Sequence, residues 1–184
     1  MNSPAAGPHP APTPGPDSCL PSQHRHDQHK DQNFKIKPRI TVGVGKTHLA
    51  TALGHIAVRR RVGVHMARAD KLFKRLKAAR LDNTVEAEMR RLTHIPLLII
   101  DDFCLQPLDA TETADFYGLI VERHRKAATV LTSNREPNEW LALMADPLLA
   151  QSAVDRLVST SHELVVEGDS YRRRQRPTHA QATT

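Results

Sequence analysis

Two short runs about 55 residues apart constrain this 184-residue chain more than anything else in it. The first is Gly43-Val44-Gly45-Lys46-Thr47, which opens an amphipathic stretch; the second is Leu97-Leu98-Ile99-Ile100-Asp101-Asp102, an apolar run ending in two carboxylates. Glycines let backbone N–H groups converge on a phosphate, and a helix N-terminus adds the positive end of its dipole. The Lys46 ammonium can then reach the β and γ phosphates of a nucleotide, and the Thr47 hydroxyl can ligate Mg²⁺. Downstream, Asp101 is placed to hold Mg²⁺, usually through water, and Asp102 to polarise an attacking water. Alone, each run has an ordinary reading, a glycine-rich helix start or a solvated acidic strand end. Together, in this order and at this distance, they specify a phosphate-binding α/β core.

The rest of the chain alternates between the two periodicities such a core requires. Helical spacing is expected over Lys46 to Arg60, Asp70 to Arg80 (with Leu72, Phe73, Leu76 and Ala79 on one side) and Val85 to Leu92. Asp109 and Glu112 form a capping-box pair that opens a helix from Ala110 to about Arg125. Further helices are expected at Asn138 to Leu143 and Pro147 to Leu157. Strands are expected at Val62 to Arg68, Pro96 to Asp101, Ala128 to Thr132 and Glu163 to Glu167. Pro96 to Asp101 is the central-strand candidate, because it is bulky at successive positions, as burial on both faces demands. Alternating strands and helices imply right-handed crossovers and a mainly parallel five-strand sheet between two helical layers.

The segment before the loop departs from this scheme. Phe34-Lys35-Ile36-Lys37-Pro38-Arg39-Ile40 carries two lysines and a proline, which argue against a central strand, so the first strand is degenerate. The full phosphate-loop pattern also places glycine at position 40, where this chain has Ile40. A β-branched residue suits that tight backbone poorly, so the loop start is either rebuilt or impaired.

Composition divides the chain. Eight of the 13 prolines fall at or before Pro38, and residues 1–38 read as a disordered Pro/His-rich tail. Cys19, His24, His26 and His29 could ligate a metal in principle, but a flexible segment gives them no framework, and a solvated tail is the simpler reading. The formal charge is +6, and residues 39–184 hold most of the excess, with 22 basic and 17 acidic side chains. That balance favours polyanionic partners such as nucleic acid. Cys19 and Cys104 are far apart and in no disulfide-dense or metal-type spacing, which fits a reducing cytoplasm. The longest apolar stretch, Ile95 to Ile100, is far short of the roughly 20 residues of a membrane span, and the start has no apolar signal-type core. Neither membrane insertion nor export is expected.

After the strand Ala128 to Thr132 comes Ser133-Asn134, and Asn134 could orient the water or the γ-phosphate if this strand neighbours the one ending at Asp101. As a turn former it could equally just end the strand. At this point the sequence resembles the IstB-like helper ATPases of bacterial insertion sequences, a branch of the AAA+ superfamily close to the replicative helicase loaders. The matching runs are Gly43 to Ala50, Leu97 to Phe103, Pro107 to Glu112, Ile120 to His124, Thr132 to Arg135 with Glu139-Trp140, Asp146 to Leu149, Asp155 to Leu157 and Gly168 to Arg172.

The resemblance implies an AAA+ ATPase core over residues 39–171, followed by a basic flexible tail at 172–184. It implies an ATP- and Mg²⁺-dependent, oligomeric helper that binds double-stranded DNA, selects target DNA and stimulates a partner transposase. Gly43, Gly45, Lys46, Thr47 and His48 fall in its nucleotide-binding run, with Thr47 and Asp101 on the metal and Asp102 and Asn134 on the chemistry. Arg156 matches the family's arginine finger, which reaches the γ-phosphate of a neighbouring subunit. Arg172 falls where a second nucleotide-sensing arginine stands, although with Arg173, Arg174 and Arg176 it reads equally as a DNA-contacting or solvated basic run. Arg59, Arg60 and Arg61 face the same choice. Upstream, the family's N-terminal helical domain, apolar strand and Gly-Pro loop start are replaced, so the sequence reads as a core joined to an unrelated or frame-shifted start. A helicase-loader-like ATPase and a non-catalytic remnant are the competing readings, separated by partner and by nucleotide affinity.

Overall fold

The apolar run after Pro96 becomes the strand around which the other elements assemble. In the computed structural model, which describes residues 33–37 and 43–171, the elements in chain order are β1 (Asn33–Lys37), α1 (Lys46–Arg59), β2 (Val64–Arg68), α2 (Ala69–Leu81), α3 (Val85–His94), β3 (Leu97–Phe103), α4 (Ala110–Arg123), β4 (Ala128–Ser133), α5 (Pro137–Leu141), α6 (Pro147–Ser159) and β5 (Ser161–Val165). The strands form one sheet in the order β2-β3-β4-β1-β5, and every neighbouring pair is parallel. Parallel neighbours cannot be joined by a tight turn, so each crossover runs over a face of the sheet and leaves its helices there.

Successive side chains of a strand point to opposite faces, and β3 fills both. Leu98 and Ile100 join Leu131 in the larger apolar cluster with α2, α3, α4 and α6, whereas Leu97 and Ile99 join Val130 and Ala50 of α1 on the other face. Burial on both sides is why this run is apolar at every position and not at alternate ones. The layer made by α1 lies close, since a Cβ on Gly54 would stand 3.1 Å from Ile99 Cδ1. On α2 the expected stripe is the buried one, with Leu72, Phe73, Leu76 and Ala79 turned inward and Lys71 and Lys74 left in solvent. Each fully buried side chain of that size contributes about 1.5–3 kcal/mol. The capping box of α4 is formed in both directions: the Glu112 N–H donates to Asp109 Oδ1 at 2.9 Å, and the Asp109 N–H donates to Glu112 Oε2 at 3.1 Å.

One buried cation fastens the opposite end of the sheet. Arg123, 1% exposed, ends α4 and donates from Nη1 to the carbonyls of Leu92 (2.7 Å) and Ile95 (2.8 Å), from Nε to Thr129 Oγ1 (3.0 Å) and from Nη2 to the Ala128 carbonyl. It thereby ties the end of α3 to the starts of β3 and β4. Burial lowers its pKa from 12.5 to about 10, which leaves it charged at neutral pH.

Several boundaries differ from expectation. Helix α4 stops at Arg123, before Arg125, because the chain turns there with Arg125 at φ 58°. Strand β5 starts and ends two residues early, β2 begins at Val64, and β3 runs on through both aspartates to Phe103. The larger correction concerns β1, which is not excluded from the middle of the sheet: it pairs with β4 on one side and β5 on the other. Backbone pairing needs N–H and C=O groups, which lysines supply as well as valines, and Pro38 falls after Lys37, the last paired residue. The sheet therefore begins inside the stretch assigned to the tail. The rest of residues 1–38, with Cys19 and the three histidines, and residues 172–184 lie outside the described residues, as do Pro38 and Ile40. Among the described residues no helix is long and apolar enough to cross a membrane.

Candidate nucleotide-binding site

At the carboxyl end of a parallel sheet the chain leaves each strand beside the start of a helix, and crevices form there. Here a cleft of about 880 Å³ opens beside the start of α1 and the ends of β3 and β4. It is lined by the run Gly43 to His48 together with Thr51, Asp102, Leu105, Asn134 and Tyr171.

The loop has the backbone its glycines predict. Gly43 and Gly45 sit at φ 90° and 96°, the left-handed region that side chains rarely adopt. Gly45 is the N-cap of α1 and offers no side-chain cap, so the first N–H groups of the helix stay available to an anion. Lys46 follows, 6% exposed. Gly43 is required for a second reason, because a Cβ there would come within 2.4 Å of Ser170 Oγ. The Tyr171 N–H donates to the Gly43 carbonyl at 3.0 Å, so the segment after β5 is seated directly on the loop.

Across the cleft the two sequence runs meet. Thr47 Oγ1 donates to Asp101 Oδ1 at 3.1 Å, which joins residues 54 positions apart. Asp101 is 3% exposed, and the Thr132 hydroxyl donates to the same oxygen. Asp102 takes φ 54° within β3, where the register against β4 shifts between Ile100 and Phe103. Such a bulge re-aims a side chain, and here Asp102 lines the cleft while Asp101 faces Thr47 and Thr132. The Asp102 carboxylate has Arg68 Nε at 3.8 Å, a loose pair because the same nitrogen is 3.3 Å from Asp70 Oδ1. Cys104 is buried beside the bulge, and burial pushes its thiol up to about 12, which disfavours the thiolate.

The structure thus brings Gly43, Gly45, Lys46, Thr47, His48, Asp101, Asp102 and Asn134 into or against one cleft. Asn134 is there because β4 is the direct neighbour of β3. Arg156 is elsewhere. On α6 its Nη1 donates to the Ser152 carbonyl at 2.9 Å and to the Ser152 hydroxyl, and its guanidinium stands 6.0 Å from the centre of the Tyr117 ring. Arg172 lies outside the described residues. Sequence reasoning missed Thr132, Thr51, Leu105 and Tyr171. Thr132 and Tyr171 stood in runs already singled out, but nothing in their spacing marked them as part of the site.

The donor set suits a nucleoside triphosphate with a hard cation. A glycine-shaped loop, uncapped helical N–H groups and a lysine match the phosphates, while a hydroxyl and a carboxylate oxygen 3.1 Å apart match Mg²⁺ in ligand type.

The profile of the IstB-like ATP-binding protein family matches residues 32–179. An insertion-sequence protein of Mycobacterium tuberculosis, named as ATP-binding, is 40% identical over 137 residues, which are 74% of this chain and 55% of that protein. Its counterpart in insertion sequence IS21 of Pseudomonas aeruginosa is 37% identical over 130 residues, 71% of this chain and 49% of that one. The chain spans about half the length of these relatives. Among solved structures, the DnaC helicase loader superposes with a TM-score of 0.64 at 19% identity, over 78% of this chain and 83% of the other. AMPPCP-bound DnaA from Aquifex aeolicus gives 0.63 at 23% identity, over 74% and 40%. At those identities the likeness is one of fold, a parallel-sheet α/β core.

Proposed function

Because the chain belongs to the IstB-like ATP-binding protein family, we propose that its cleft binds ATP with Mg²⁺ and that a second copy of the chain completes a hydrolytic site. The observation that carries this reading is the Thr47–Asp101 bond at 3.1 Å, which unites a phosphate-loop hydroxyl with a buried strand-end carboxylate. In this reading Lys46 and the N–H groups of the loop neutralise phosphate charge, and Thr47 and Asp101 hold the metal. The bound metal supplies charge neutralisation at the phosphates. Asp102 polarises the attacking water, Asn134 orients that water or the γ-phosphate, and His48 borders the nucleotide. Arg156 serves in trans, a role supported by its place on α6 away from its own chain's cleft.

Two measurements test this. A fluorescent ATP analogue should bind the parent chain with Mg²⁺ and fail to bind Lys46→Ala, and no binding by the parent would favour a remnant without nucleotide chemistry. Asp102→Asn and Arg156→Ala, each inactive alone, should regain turnover on mixing, because some interfaces then carry an intact Asp102 opposite an intact Arg156. An absence of rescue in an otherwise active protein removes the shared site.

The partner side of the proposal is a helper that binds double-stranded DNA, selects a target and stimulates a transposase in the cytoplasm. It is supported by the basic balance of residues 39–184 and by relatives named for insertion sequences. Binding by charge alone is insensitive to sequence and falls steeply with salt. Each arginine on a phosphate adds about 0.9 to the slope of log affinity against log salt, so replacing Arg173, Arg174 and Arg176 with alanine should flatten it by about two to three. An unchanged slope moves the contact to Arg59, Arg60 and Arg61, which are exposed at the end of α1.

A further inference from the structure

We propose that Thr132 is the positioning residue through which the sheet presents both carboxylates of β3, so that metal holding by Asp101 and the aim of Asp102 depend on one hydroxyl. The inference rests on the nucleotide reading above and goes beyond it in assigning a residue that does not itself line the cleft.

The argument starts from register. Ile100 lies opposite Leu131 and Phe103 opposite Ser133, so three steps along β3 answer to two along β4, and Asp101 and Asp102 together face Thr132. A bulge of this kind interrupts the ladder and leaves backbone groups in need of other partners. A hydroxyl can donate once and accept as well, and Thr132 does both. It donates to Asp101 Oδ1 and accepts the Asp102 N–H at 3.0 Å. Ser133 continues the pattern, donating to the Phe103 carbonyl at 2.8 Å and accepting Trp140 Nε1–H at 3.0 Å and the Arg135 N–H at 3.1 Å. Two consecutive hydroxyls therefore replace backbone pairing where β3 is irregular.

Thr132 is fully buried, so water cannot readily stand in for its hydroxyl, and the carboxylate it serves is buried as well. Thr47 also donates to Asp101 Oδ1, but Thr47 lines the cleft and is itself a metal ligand in this reading, whereas Thr132 stands behind the carboxylate and does not line it. The Thr132 bond is the one that does not compete with the metal. On the other side, Asp102 holds φ 54°, and the bond from its N–H fixes that backbone and so the direction of its side chain. Partners that orient metal ligands from behind commonly change metal affinity or activity by 10- to 100-fold.

The test uses the full chain, Thr132→Val, which keeps the shape and removes the hydroxyl, and Thr132→Ser, which keeps the hydroxyl and removes the methyl group. Binding of a fluorescent ATP analogue is measured across a Mg²⁺ titration, alongside ATP turnover. For the valine variant, metal-free nucleotide affinity should stay within about threefold of the parent. The Mg²⁺ concentration for half-maximal effect should rise about tenfold or more, and kcat should fall about 10- to 100-fold with KM nearly unchanged. The serine variant should restore all of these to within about threefold. If the valine variant gives no cooperative melt, Thr132→Cys, with a weak thiol donor in place of the hydroxyl, carries the same comparison. A valine variant that follows the parent in both Mg²⁺ dependence and kcat overturns the proposal, and so does a serine variant as impaired as valine, since packing would then be the cause. A parent chain that binds no nucleotide overturns the reading of the cleft itself, an outcome distinct from either.

Discussion

Replacing Arg123 with methionine should lower the unfolding free energy by about 3–4 kcal/mol without changing nucleotide affinity, and the magnitude follows from its bonds. The guanidinium, 1% exposed, serves the carbonyls of Leu92, Ile95 and Ala128 and the Thr129 hydroxyl. Bonds from a charged donor contribute about 1.5–3 kcal/mol each, so these four, leaving aside a longer one to the Thr93 carbonyl at 3.3 Å, are worth about 6–12 kcal/mol gross. Against this stands the cost of burying the cation. A pKa lowered from 12.5 to about 10 corresponds to about 3 kcal/mol of lost solvation, which methionine recovers. The difference is about 3–9 kcal/mol, and the lower end is expected because water can reach carbonyls at the ends of α3 and β4 once the side chain shrinks. At about 3 °C per kcal/mol for a chain of this size, the midpoint of thermal unfolding should fall by about 10 °C. Lysine, with one nitrogen, cannot span three segments and should recover under half of the loss. Urea unfolding at 25 °C gives the free energies, and the ATP analogue gives the affinity. Arg123 lies at the end of the sheet opposite the cleft, so the folded fraction should bind as the parent does. A methionine variant within about 1 kcal/mol of the parent, at unchanged denaturant slope, would refute the view that these bonds fasten this end of the sheet.

Three further outcomes are expected. Gly43→Ala and Gly45→Ala both force alanine into the left-handed region, at about 1–2 kcal/mol, but only the Gly43 Cβ meets another atom, Ser170 Oγ at 2.4 Å. Gly43→Ala should therefore weaken nucleotide binding more than Gly45→Ala, and adding Ser170→Ala should recover part of the excess in the same titration. Glu88 is held below its ordinary value of 4.5, first by its hydrogen bond with Arg91. A carboxylate with a depressed folded pKa adds stability above its unfolded pKa and loses it as pH falls through the folded one, so Glu88→Gln should flatten the loss of stability below about pH 4.5 in urea titrations. Finally, in a Cys19→Ser background, Cys104 should react with a disulfide reagent at pH 8 at least about 100-fold more slowly than in the unfolded chain, since burial raises its pKa to about 12 and only the thiolate attacks.

What could be read in the sequence was what depends on local pattern. The stripe on α2, the capping box of α4 and the unbroken apolar run of β3 each follow from spacing along a few residues, and all three stand where they were expected. The cleft could be read for a related reason: both halves of a phosphate and metal site use residue types that seldom have another use together, and Thr47 and Asp101 touch. Asn134 needed one more step, the adjacency of β3 and β4, which the sheet order supplies. What escaped reading has a common physical cause. Arg123 in sequence is an ordinary basic residue in the last turn of a helix, and Thr132 an ordinary β-branched residue near the end of a strand. Each takes its importance from backbone groups left unpaired by an irregularity: the ends of α3 and the starts of β3 and β4 for the arginine, the bulge at Asp101 and Asp102 for the threonine. Periodicity describes the regular parts of the chain, where each backbone group already has its partner. The polar side chains that hold a site in shape are recruited where regularity fails, and those places exist only once distant segments have come together.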